Sequence, residues 1–175
     1  MPPSEPKRVF ISALEPSADV HCANLIRAAG MLAEGPSADW PGASSKHIPL
    51  PSKPAIQWTG LGGSKMASAG CRLLENPVGR AAMIYNVFGQ LRYYQMLLRS
   101  ASDYLKKNPV DLLVVCDSPA FNFHLARTAR RLGVPVLFYV APQLWAWAPW
   151  RIRKLRCCCD RLACILPFEK EWFTR

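Results

Sequence analysis

No stretch of this sequence approaches the roughly eighteen consecutive apolar residues a membrane-spanning helix needs. The opening Met1-Pro-Pro-Ser-Glu-Pro-Lys-Arg holds no apolar core of signal-peptide length. A cytoplasmic protein, free or peripheral on a membrane face, is the expectation. The phosphate-cradling patterns G-x-G-x-x-G and G-x-x-x-x-G-K-[ST] are missing, which removes two common sequence routes to a nucleotide site. Histidine is scarce: His21, His47 and His124 form neither HxxxH nor HExxH. The seven cysteines are an odd number without a CxxC pair, and the run Cys157-Cys158-Cys159 lacks zinc-ligand spacing. Reduced thiols, no metal and no cofactor are therefore expected.

Acid is the other shortage. Twelve Asp and Glu face 22 Lys and Arg, a net charge of +10, and residues 126–175 alone carry ten basic against three acidic side chains. Such a surface attracts nucleic acid, anionic lipid headgroups or phosphorylated substrates alike; no nucleic-acid-binding motif accompanies it. Half the residues are hydrophobic and 19% charged, the composition of a packed globule, and 175 residues suit one domain.

Short apolar runs alternate with helical periodicity. Arg8–Leu14 reads as a strand, Val20–Met31 as a helix, Ile56–Leu61 as a strand, and Ser64–Ala69 as a short capped helix. Apolar positions Met83, Val87, Leu91, Tyr94 and Leu98 recur at helical steps, predicting one long helix over 80–107 with a break near Gly89. Asp111–Cys116 is a continuous apolar strand of the kind buried in parallel sheets. Helix Ala120–Leu132, strand Val136–Val140, basic helix Trp150–Cys158, strand Leu162–Leu166 and a helix from Phe168 complete the chain. Residues 34–55, rich in Pro, Ser, Gly and Ala, are expected to form a mobile loop. The alternation predicts an α/β fold, a Rossmann-like, mostly parallel sheet with helices on both faces and right-handed crossovers.

Ligands of such sheets bind beyond the carboxyl ends of the strands, which directs attention to three segments. In Leu14-Glu15-Pro16-Ser17-Ala18-Asp19, Ser17 or Asp19 can cap a helix, while Glu15 can orient a sugar hydroxyl or tune a neighbouring base. In Asp117-Ser118-Pro119-Ala120-Phe121-Asn122, Asp117 is equally well placed as a helix cap or as a general base. The segment from Ala141 to Trp150 carries Trp145, Trp147 and Trp150, and Arg151, Arg153, Lys154 and Arg156 follow. The rings serve either as core packing, as a platform for sugar or acyl chains, or as an interfacial belt beside phosphate-attracting cations.

At these segments the sequence resembles the lipid-A-disaccharide synthase family. The likeness rests on ISALEPSADVHCANLIRA, TGLGGSKMASAG, VDLLVVCDSPAFNFHLAR, GVPVLFYVAPQLWAWAPWRIRKL and LPFEKEWF, which follow in family order and together cover most of the chain. The resemblance implies a GT-B architecture of two Rossmann-like domains, with residues 1–175 as the acceptor-side domain and the UDP-binding donor domain absent. It implies an inverting hexosyl transfer from UDP-2,3-diacylglucosamine to 2,3-diacylglucosamine 1-phosphate in lipid A biosynthesis, at the inner face of the bacterial inner membrane and without a metal. Asp117 matches the family's proposed base. Glu15, Ser17 and Asp19 match its first-loop motif, and Asn122, Gln143 and Trp147 lie in matching substrate-binding segments. Trp145, Trp150, Arg151, Arg153, Lys154 and Arg156 stand as candidate membrane or phosphate contacts.

The first-loop pattern of the family reads G-E-x-S-G-D with a further glycine three residues on. Leu14, Ala18 and Cys22 occupy those glycine positions here. Should they need positive φ or close backbone approach to a ligand, side chains there cost stability or block substrate. Little or no turnover by these 175 residues alone is expected; a non-catalytic binder of anionic lipid or membrane surface is the alternative.

Overall fold

The computed structural model describes residues 5–34, 56–81 and 87–174. Strand β1 (Lys7–Ala13) is buried over its last five residues, because Val9-Phe10-Ile11-Ser12-Ala13 sends side chains into packing on both faces of the sheet. Helix α1 (Pro16–Glu34) follows, then β2 (Ile56–Leu61), the short α2 (Ser64–Ser68) and β3 (Arg72–Glu75). Next come α3 (Pro77–Ala81), α4 (Val87–Lys107), β4 (Leu112–Cys116), α5 (Pro119–Arg131) and β5 (Val136–Tyr139). The chain ends with α6 (Leu144–Trp147), a 3-10 turn (Pro149–Arg151), α7 (Ile152–Cys158), β6 (Arg161–Ala163) and α8 (Pro167–Thr174).

The strands form a six-stranded sheet in the order β3-β2-β1-β4-β5-β6, and every neighbouring pair is parallel. On one face α1 and α2 cover Val9, Ile11, Ala13 and Val114. On the other, α4, α5 and α7 cover Phe10, Leu61, Leu113, Val115, Val136 and Phe138. The expected Rossmann-like sheet with helices on both faces is what the chain forms.

Two aspartates pin the amino ends of paired strands. Asp111, just before β4, accepts the Arg8 amide of β1 at 2.8 Å, and Asp160, just before β6, accepts the Val136 amide of β5 at 2.8 Å while pairing with Arg130. Those hydrogen bonds hold both carboxyls below their ordinary range.

Several expectations shift. The edge strand β3 has no counterpart in the sequence reading, because Arg72-Leu-Leu-Glu is too short for either periodicity to register. Helix α1 begins at Pro16 rather than Val20, since proline fits the first turn, where its missing N–H costs nothing. Of the long helix expected over 80–107, α4 supplies Val87–Lys107 and α3 reaches Ala81, with 82–86 outside the described residues; the expected break near Gly89 is not there, as Gly89 lies inside α4. The aromatic loop contains α6, and β6 starts at Arg161 rather than Leu162. The loop expected at 34–55 lies outside the described residues apart from Glu34, the last residue of α1.

Candidate active site

Strand order reverses between β1 and β4. Chain leaving β1 enters α1 on one face, chain leaving β4 enters α5 on the other, and the two connections diverge to open a crevice outside the strands' carboxyl ends. Glu15 stands on one side of it and Asp117 on the other.

The β4 side is strained. Asp117 and Ser118 are consecutive non-glycine residues in the left-handed region, with φ of 48° and 43°. Each such residue costs on the order of 1–3 kcal/mol and persists only where its surroundings enforce it. Beside the turn stands Asn122 in the first turn of α5, whose side-chain amide donates to the Cys116 carbonyl at 3.1 Å and the Asp117 carbonyl at 2.7 Å. Its oxygen accepts from the Ser12 hydroxyl of β1 at 2.9 Å. Asp117 is not the helix cap: Ser118 holds the cap position of α5 and makes no side-chain capping bond.

Ser118 instead donates its hydroxyl to Glu15 Oε1 at 2.9 Å, tying the two loops together. Partial burial pushes the Asp117 carboxyl above the ordinary carboxylate range, and the facing negative charge of Glu15 pushes it further the same way. A half-buried aspartate with a raised pKa at a sheet's switch point is chemically a proton acceptor.

The other candidates divide. Asp19 is almost wholly buried and accepts the amides of Gly63 at 2.8 Å, Lys65 at 3.1 Å and Met66 at 3.1 Å. It thus caps α2 from another helix rather than its own, and a Cβ on Gly63 would lie 2.4 Å from its Oδ2. Ser17 is exposed in the first turn of α1, and Gln143 is exposed ahead of α6. Trp147 closes α6; its side chain lies outside the described residues.

Trp145 belongs to a small network. Its indole N–H donates to Glu169 Oε1 at 3.3 Å and its ring meets Phe168 edge-on, while buried Glu169 also accepts the amides of Ile165 and Leu166 at the start of α8. Trp150 is 69% exposed. Arg153, Lys154 and Arg156 are exposed on α7, whose Leu155 and Cys158 are buried, and Arg151 is half-buried in the 3-10 turn.

Leu14, Ala18 and Cys22 are all buried, Leu14 in one core cluster and the other two in the second. None of them has positive φ: among the described residues only Asp117, Ser118 and Val140 do so without being glycine. Side chains at these three positions therefore pack into the core without backbone strain. Cys22 contacts Cys116, and this hydrogen bond together with burial pushes its thiol upward; burial and nearby Asp19 push Cys71 to about 12. Such thiols are poor nucleophiles. Among the described residues no group of three or more His, Cys, Asp or Glu side chains could hold a metal ion, and no helix is long and apolar enough to cross a membrane.

A family model described as lipid-A-disaccharide synthetase matches residues 9–175. The chain belongs to the lipid-A-disaccharide synthetase family. A lipid-A-disaccharide synthase of Trichlorobacter lovleyi is 34% identical over 97% of this chain and 39% of its own length. The Syntrophotalea carbinolica synthase is 36% identical over 97% of the chain and 38% of its own length, and one from Coxiella burnetii 33% over 83% and 39%. The chain thus spans about two-fifths of the length of the curated relatives it matches. Its parallel sheet is consistent with the amino-terminal domain of the family's GT-B architecture.

Sequence reasoning missed Ser12, Ser118, Glu169 and Val140. For Ser12 a signal existed, a hydroxyl in the middle of an otherwise apolar strand. Val140 carried none, since its φ of 66° is set where β5 meets the aromatic loop.

Proposed function

We propose that this chain is the acceptor-side half of a glycosyltransferase that moves 2,3-diacylglucosamine from its UDP conjugate to a hydroxyl of 2,3-diacylglucosamine 1-phosphate. The acceptor oxygen attacks the anomeric carbon in line with the departing diphosphate. The new β-1,6 bond forms as the bond to UDP breaks, UDP leaves with the electron pair, and Asp117 takes the hydroxyl proton. The single observation that carries this reading is Asp117 itself, held left-handed at the β1–β4 switch point with its carboxyl raised by burial and by Glu15. Glu15 tunes the base; Ser17, Gln143 and Trp147 contact the acceptor; Asp19 and Asn122 serve the site through its framework. Donor contacts come mostly from a second domain, so the 175 residues alone turn over little or nothing.

Amide NMR of the chain titrated with detergent-dispersed 2,3-diacylglucosamine 1-phosphate tests the reading. Shifts are expected at residues 14–19 and 117–122, and their absence there would overturn it. Fused to the carboxyl-terminal remainder of the Trichlorobacter lovleyi relative, the chain should release UDP, and Asp117→Asn should remove about 10²–10⁴ of that rate.

The composition of the last segment favours a second role on the inner membrane face. Between residues 150 and 168 the chain exposes the apolar side chains of Trp150, Ile165 and Phe168 and the basic ones of Arg153 and Lys154, a composition suited to anionic headgroups. Neutralising Arg151, Arg153, Lys154 and Arg156 together should abolish pelleting with anionic vesicles; unchanged pelleting would sink it.

A further inference from the structure

Ser12 and Asn122 are both fully buried, and neither is an ordinary choice where it sits. Ser12 interrupts an apolar strand whose neighbours Phe10, Ile11 and Ala13 are all core residues, and it pairs in register with Val115 of β4. Asn122 lies among Phe121, Phe123 and Leu125 on α5. Buried polar groups persist where their hydrogen bonds are complete, and these two complete one another: the Ser12 hydroxyl donates to Asn122 Oδ1 at 2.9 Å.

The orientation of the amide follows from its partners. The carbonyls of Cys116 and Asp117 only accept, so the amide nitrogen must face them, and its two hydrogens serve the two oxygens at 3.1 and 2.7 Å. Only the oxygen is left for Ser12. A flipped amide would set oxygen against two carbonyls, which leaves a single arrangement joining β1, β4 and α5. Through Asn122 the pair holds the backbone of the turn that carries two successive left-handed residues.

We infer that Ser12 and Asn122 are positioning residues: a buried brace that holds the Asp117–Ser118 turn left-handed and thereby aims the Asp117 carboxylate into the crevice beside Glu15. This rests on the reading of Asp117 as the base, yet the brace is testable without substrate. Asp117's charged neighbour is Glu15, on the connection after β1, and the Ser118 amide offsets part of its effect. A relaxed turn swings the carboxylate toward water and away from both.

The test is carbon-detected NMR titration of the full chain, comparing the wild type with Ser12→Ala, Ser12→Thr and Asn122→Ala. Asp111 and Asp160 serve as internal references in the same spectra. In Ser12→Ala and Asn122→Ala the Asp117 midpoint should fall by half a pH unit or more toward the ordinary range, with the reference aspartates unmoved, and Ser12→Thr should restore it. An unshifted Asp117 midpoint in folded Ser12→Ala would overturn the inference. So would loss of folding in Ser12→Ala, because the hydroxyl would then be a core requirement rather than an aiming device. Should Asn122→Ala fail to fold, Ser12→Ala decides alone. Failure of the catalytic reading shows elsewhere: Asp117→Asn with undiminished UDP release in the fusion would reject Asp117 as base and leave the titration result standing.

Discussion

Ser118 donates its hydroxyl to Glu15 at 2.9 Å across the gap where the connections from β1 and β4 diverge. The bond links residues 103 positions apart and brings a carboxylate to face Asp117. Burial and that facing charge both disfavour ionisation of the Asp117 carboxyl.

Glu15→Gln should lower the Asp117 titration midpoint, because the nearby negative charge that disfavours its ionisation is gone while burial stays. Ser118→Ala should act in the same direction but less, by letting Glu15 wander. Carbon-detected titration of selectively labelled aspartate reads both. A midpoint that rises in Glu15→Gln would show that Glu15 does not face Asp117 in solution.

Asp117→Asn should stabilise the fold at neutral pH. The folded-state pKa of Asp117 is raised, so its contribution to stability is fully present below the unfolded-state value and is lost as pH rises through the folded one. The neutral amide removes that loss. The gain should therefore be absent in acid, grow as pH climbs through the carboxylate range and level off above it. Partial exposure screens the charge, which keeps the Tm difference small, on the order of 1–3 °C. Thermal melts at a series of pH values check it; a variant less stable at every pH would contradict it.

Asp19→Ala should be far more damaging. It strips three amides of their acceptor, two in buried bonds and the third, Lys65, in a part-buried one, a cost of roughly 3 kcal/mol or more. Gly63→Ala should destabilise through the same contact, as its Cβ would press on the Asp19 carboxylate. Urea unfolding of both variants measures the loss, and a combined effect smaller than the sum would show that they act on one interaction.

Much of the architecture was legible in the chain because continuous apolar runs separated by helical periodicity admit few arrangements. Arg8–Leu14 reads as a strand from its β-formers and Asp111–Cys116 as a continuous apolar run of the kind buried in parallel sheets, and both form strands of the parallel sheet. The short edge strand β3 was not legible, since four residues with two half-buried leucines carry too little pattern. In the candidate site, position alone marked Glu15 and Asp117 as candidates at strand ends, where the α/β rule places ligands, and left capping open beside chemistry for both.

Sequence by itself settled the class of fold, the places where chemistry could occur and the resemblance that the family match bears out. Tertiary structure decided what individual polar residues do there. Asp19 could equally have capped its own helix, but the packing of α1 against α2 brings it to amides 44 or more residues away. Asp117 could have been a cap, but the left-handed turn gives that position to Ser118. Leu14, Ala18 and Cys22 could have strained the first loop, but they face the core. Periodicity records which side of an element is buried; hydrogen bonds between distant elements depend on strand order and register, which only the folded chain brings about.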